Sequence, residues 1–174
     1  SGDLFLSMVD LVTLGSAGFV LSQWPNGNLR IDSGGNIVIG ANVSAGSGSL
    51  ELNATGTISR SGAFTLSAST VRLGLMGTTS AIGSAGMAIQ TAATALLSAS
   101  TSSGDLYLSN TGDVNVTAQS AGLLNITNTG TTTSAGVFEA GAGSSLTLVS
   151  TGSVSLAHNV TGPSGVSISV SGAG

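Results

Sequence analysis

Residues 103–116 read "SGDLYLSNTGDVNV", in which Gly-Asp-Leu-Tyr-Leu is followed eight residues later by Gly-Asp-Val-Asn-Val. Apolar and polar residues alternate over three positions, the chain turns at Gly112, and the alternation resumes. A period of two is that of a β-strand with one face buried. Each half therefore reads as a very short strand, with Leu106 and Leu108, then Val114 and Val116, facing a core.

The motif recurs along the chain. Apolar-x-apolar triplets stand at Leu4/Leu6, Leu29/Ile31, Leu50/Leu52, Phe64/Leu66, Met87/Ile89, Leu106/Leu108, Leu124/Ile126, Leu146/Leu148 and Val166/Ile168, a mean spacing near 20 residues. Most have an echo eight residues on, at Val12/Leu14, Ile37/Ile39, Ala95/Leu97, Val114/Val116 and Val154/Leu156, while Ile58 is half an echo and Val71/Leu73 comes one residue early. Glycine follows the first apolar position by six residues at Gly35, Gly56, Gly112, Gly130 and Gly152, with threonine before it in the last four. These glycines are predicted to be corners that need a positive φ.

Short strands with regular corners exclude a transmembrane barrel, whose strands run to about 9–11 residues between aromatic girdles. The pattern instead predicts an all-β parallel β-helix, one segment over residues 1–174, of about 20-residue turns and eight to nine turns in all. Leu29, Ile31, Leu50, Leu52, Leu146 and Leu148 join the residues of the opening stretch as predicted inward columns. A third strand per turn would come from Phe19/Leu21, Val43, Ile82, Val137 and Val160. Residues 22–28 read as an insertion, with Trp24 covering it. Residues 87–100 are rich in alanine and leucine, a helical composition, yet their triplet offsets favour strand with Met87, Ile89, Ala95 and Leu97 inward.

Composition narrows the function. The 174 residues include 27 glycines and no cysteine, and seven acids against three arginines give a net charge of −4. That balance offers no basic stripe for phosphates, so nucleic acid is not an expected partner. The absence of cysteine is compatible with secretion. The opening residues lack a positive n-region, and Asp10 interrupts their apolar run. With repeat running to both ends, the chain reads as a piece of a longer polypeptide whose partners are flanking turns or end-to-end copies of itself.

Chemistry-bearing residues are scattered. Asp3, Asp10, Asp32, Glu51, Asp105, Asp113 and Glu139 do not cluster, and Asp105 and Asp113 sit where a carboxylate accepts turn N–H groups. No calcium-loop spacing and no Gly-Lys-Ser/Thr phosphate loop occur, so neither metal nor cofactor is expected. His158 lacks a Ser-Asp pattern and reads as an exposed turn residue. Arg30 and Glu51 occupy matching outward positions and should form a surface ion pair between turns. The asparagines of the Asn-x-Ser/Thr sequons, Asn42, Asn53, Asn115, Asn125 and Asn159, read as turn composition. The outward triplet centres, Phe5, Arg30, Glu51, Thr65, Ala88, Tyr107, Asn125, Thr147 and Ser167, taken as one side, make no flat hydroxyl array for ice. No catalytic residues are expected.

"GDLYLSNTGDVNV", "LTLVSTGSVSLAHN" and "LELNATGTISRSGAFTL" resemble the repeats of filamentous haemagglutinin-like exoproteins, the adhesins of two-partner secretion and related autotransporters. The resemblance spans nearly the whole chain; the Phe64 turn and the alanine-rich segment depart from it. It implies a right-handed helix, export from a Gram-negative cell through an outer-membrane transporter, and a stalk that holds an adhesive tip toward a host-cell or matrix glycan or protein. The expectation is a structural stalk, with a carbohydrate-binding or polysaccharide-degrading β-helix as the alternative.

Overall fold

The computed structural model describes residues 2–15 and 27–172. Among these, the chain is all-β with no helix, a solenoid of about seven turns of roughly 21 residues each. At one strand spacing per turn, the rod is about 34 Å long. Every strand pairing is parallel and joins one turn to the next, giving one continuous sheet wound on itself.

A first side stacks β1 (Leu4–Met8), β3 (Leu29–Ser33), β6 (Ser49–Ala54), the later half of β8 (Thr65–Leu73) and the later half of β10 (Ile89–Ser100). It continues through β12 (Val114–Gln119) and β14 (Thr132–Glu139) to β16 (Val154–Ser155) and β17 (Val160–Thr161). A second side stacks β2 (Val12–Leu14), β4 (Ile37–Ile39), β7 (Thr57–Arg60) and β9 (Ala81–Ile82), then β11 (Leu106–Asn110), β13 (Leu124–Asn128), β15 (Ser145–Ser150) and β18 (Gly165–Val170). The third side is β5 (Val43–Ser44) with the earlier halves of β8 and β10, and it merges with the second at β11, where Leu106 pairs with Ile82 and Leu108–Asn110 pair with Ile89–Thr91.

The register corrects the expectation that all triplets form one column. Leu4, Leu29 and Leu50 do stack, but the next residue in line is Val71, an echo, and not Phe64. Leu106 lies over Ile82, so the later triplets Leu106, Leu124, Leu146 and Val166 extend the column begun by the early echoes Val12, Ile37 and Ile58. The later echoes Val114 and Val116 correspondingly belong to the first side. The exchange happens because β8 and β10 each run through a corner without a break, so that one strand supplies two sides. Counting triplets as turns therefore overestimated the number, eight to nine against about seven.

Leu29, Ile31, Leu50, Leu52, Leu106, Leu108, Val114, Val116, Leu146 and Leu148 are all buried in the single apolar core. Smaller expectations change with the register. Ile82 belongs to the second side, and Phe138 rather than its neighbour Val137 enters the core. In the alanine-rich segment, a strand as expected, Ile89, Ala93, Leu97 and Ala99 point inward while Met87 and Ala95 are exposed. The ladder slips between Ala93 and Leu96, which puts Ala95 outside. Phe19, Leu21 and Trp24 lie outside the described residues.

Candidate functional site

Many polar side chains of the rod are engaged in joining one turn to the next. The residue just before a strand is repeatedly Asp or Asn, and its side chain accepts a backbone N–H one full turn later. Asp3 Oδ1 takes Asn28 N–H at 3.0 Å, Asn28 Oδ1 takes Ser49 N–H at 3.0 Å, and Asn36 Oδ1 takes Thr57 N–H at 2.8 Å. Asn42 serves Thr65 at 2.9 Å, Asp105 serves Leu123 at 2.8 Å and Asp113 serves Thr131 at 2.7 Å. Asp105 and Asp113 thus accept N–H groups as expected, but from the next turn and not from their own. A short side chain at a corner can reach that far because neighbouring turns lie about 4.8 Å apart.

Inside the corners runs a polar ladder that the apolar pattern did not reveal. Thr91 Oγ1 donates to Asn110 Oδ1 at 2.9 Å, Asn110 Nδ2 to Asn128 Oδ1 at 3.1 Å, and Asn128 Nδ2 to Thr132 Oγ1 at 3.0 Å. Asn110 and Asn128 are fully buried and also hold the corner carbonyls of Gly112 at 3.2 Å and Gly130 at 3.0 Å. Ser150 Oγ ends the series beside Thr132, at 3.3 Å. The legible signal was the polar residue directly before each Thr-Gly pair, in Asn110-Thr-Gly, Asn128-Thr-Gly and Ser150-Thr-Gly.

The corner glycines divide into two kinds. Gly112 has φ of 99°, the conformation that L side chains avoid, with open space around it. The positive φ predicted for Gly35, Gly56, Gly130 and Gly152 is not found; these glycines are required by the turn stacked against them. A Cβ on Gly130 would lie 2.4 Å from the carbonyl carbon of Gly112, and one on Gly152 2.6 Å from Thr131 N. On Gly56 it would meet Asn36 Oδ1 at 2.0 Å, and on Gly35 it would come 3.0 Å from Leu11 N.

The early turns of the first side carry a charge cluster. Arg30 meets Glu51 of the next turn at 3.5 Å, but its nearer partner is Asp32 on its own strand, Nη2 to Oδ2 at 3.0 Å. Asn53 Nδ2 donates to Asp32 Oδ1 at 2.8 Å and to Glu51 Oε1 at 2.9 Å. The Phe5 ring lies 5.2 Å from the guanidinium, a cation–π contact. The hydrogen bond to Asp32 is the main cause holding the Arg30 guanidinium above its usual value, with burial opposing it. On the second side, burial first and the neighbouring Asp105 carboxylate second push the Tyr107 phenol up.

His158 is exposed, and its Nδ1 lies 3.1 Å from Ser134 Oγ, a pairing not anticipated from sequence. Ser134 is buried and already accepts the Ala157 N–H at 2.8 Å. The pair clasps two turns, and no carboxylate orients the imidazole among the described hydrogen bonds. Among the described residues no group of three or more His, Cys, Asp or Glu could hold a metal ion. Two larger clefts remain. One, of about 300 Å³, lies beside Met8, Asp32, Asn53 and Met76. The other, of about 450 Å³, runs along four turns past Ser100, Gln119, Glu139 and Thr161.

The outward row named from sequence is spread over three sides. Phe5, Arg30 and Glu51 share the first, Thr65 belongs to the third, and Tyr107, Asn125, Thr147 and Ser167 form a row on the second. That last row carries no charge. No family model, curated protein or solved structure matches the chain.

Proposed function

We propose that the chain is a length of structural rod, a stalk segment of a secreted adhesin displayed on a Gram-negative cell, as the resemblance of its repeats implies. The observation that carries this reading is the use of polar groups: Asp3, Asp105 and Asp113 bind the backbone of the next turn, and Asn110 and Asn128 bind each other inside it. Such groups stiffen a rod and are not free for turnover. On this reading the chain is not an enzyme, and an outer-membrane transporter passes it unfolded to the surface. Its partners are neighbouring turns, end-to-end copies, and a host-cell or matrix glycan or protein engaged by the complete adhesin; nucleic acid is not among them.

Immunolabelling of intact source cells with antibodies against the rod should decorate the outer surface, and deletion of the gene should reduce attachment. Label confined to the cytosol would sink the proposal. The long cleft favours a second reading, binding of a polysaccharide chain along the rod, because Gln119 and Glu139 are hydrogen-bonded side by side within it at 3.1 Å. A glycan array separates the two: retention that is lost in Glu139→Ala belongs to the second reading alone.

A further inference from the structure

The cleft of about 300 Å³ at the ends of the early first-side strands is lined by Met8, Asp32, Asn53, Thr55, Met76 and Thr78, among others. Several of the side-chain hydrogen-bond donors in and beside it, those of Asn53, Thr55, Thr78 and Arg30 Nε and Nη2, are already committed, while Ser7 contributes a hydroxyl. Both Asn53 Nδ2 bonds go to carboxylates, at 2.8 and 2.9 Å. Thr55 Oγ1 donates to Gly34 O, Thr78 Oγ1 to Ala54 O at 3.4 Å, and Arg30 directs Nε and Nη2 at Asp32.

What the cleft retains is acceptor capacity. The Asp32 side chain is 24% exposed. Asn53 is only 3% exposed, and its Oδ1 has no hydrogen-bond partner. A buried acceptor without a donor is rare in a folded protein. Turning the amide over would not relieve it, since the oxygen would then face the Asp32 and Glu51 carboxylates. Two carboxylates against one guanidinium leave the cluster negative. The exposed thioethers of Met8 and Met76 supply adaptable apolar walls.

We propose that this cleft binds a primary ammonium group carried on a methylene stem, as in a diamine or a lysine side chain. An ammonium has three donors and no acceptor, which matches what the cleft still offers. A sugar brings acceptors as well as donors, and its acceptors would find few free protons here. A soft metal ion is disfavoured because Met76 Sδ already receives Arg30 Nη2 at 3.3 Å, which sets a cation beside that thioether. Residues 1–174 contain three arginines and no lysine, so a second copy of this stretch cannot supply such a side chain.

The three methionines make the test internal. With ¹³C-methyl methionine, 1,5-diaminopentane should shift the Met8 and Met76 methyl signals saturably, with Kd of about 1 mM or tighter, and leave Met87 in place. Asp32→Asn, which preserves the shape, should weaken binding about tenfold, as should Asn53→Leu. A blocked lysine peptide that binds more tightly than the diamine assigns the site to a protein partner; the reverse assigns it to a free amine. Equal shifts with tetramethylammonium, which has no N–H, would overturn the proposal. So would displacement of the diamine by methyl glucoside, unchanged binding in Asp32→Asn, movement of Met87 alongside the others, or no saturable shift.

Discussion

At the scale of the residue, the sharpest contrast is between neighbours in one strand. Leu108 is buried and Tyr107 faces outward beside it. A charge at Leu108 has no partner in a narrow apolar interior and should cost several kcal/mol. Leu108→Asp should therefore unfold or fray several turns, while Tyr107→Asp is mild; equal losses in denaturant melts would contradict the alternation. The glycines give a second contrast. Gly112→Ala meets only the φ penalty, on the order of 1–2 kcal/mol. Gly130→Ala has no φ penalty but must push back backbone that lies 2.4 Å from the new Cβ, so it should be the worse of the two in the same melts. The apolar inward residues were legible because a period of two reports which side chains are buried. The reason for each glycine was not, because crowding from the next turn depends on residues about 20 positions away.

At the scale of the element, the corner ladder couples strands that the apolar columns alone would leave free to slide. Asn128 serves two part-buried carbonyls, and in the interior one hydroxyl and the Asn110 amide. Asn128→Leu fills similar volume but strands those partners, each at a cost of about 1–3 kcal/mol. We expect a loss of several kcal/mol by chemical denaturation, and a non-additive cycle with Asn110→Leu of at least about 0.5 kcal/mol. Strict additivity would show that the two amides do not work as a unit. Here the sequence was less informative. A period of two marks burial but does not say which buried columns share a side. The strands that carry two sides, β8 and β10, lack the glycine corner that would have marked the bend, so Phe64 and Met87 were read as new turns.

At the scale of the molecule, a rod of similar turns pairs its strands between neighbours, so its stability accumulates turn by turn. Val166, Ile168 and Val170 are exposed on β18, and Val9 and Leu11 are exposed between β1 and β2. Two such surfaces, placed head to tail, do not close on themselves and build open filaments. Sedimentation of residues 1–174 should therefore show mass rising with concentration, and Ile168→Arg should suppress it. A monomer at every concentration, with protected amides in β18, would refute end-to-end association. The exchange of sides at β10 and β11 has a different consequence, for whatever approaches the rod from its flank. Leu29-Arg-Ile and Leu106-Tyr-Leu are the same motif, yet they point in different compass directions around the axis. One flank is salted with charge at one end, and a different flank is a neutral strip of Tyr107, Asn125, Thr147 and Ser167 at the other. An antibody raised against either strip would label half of the rod, on one azimuth, and miss the rest.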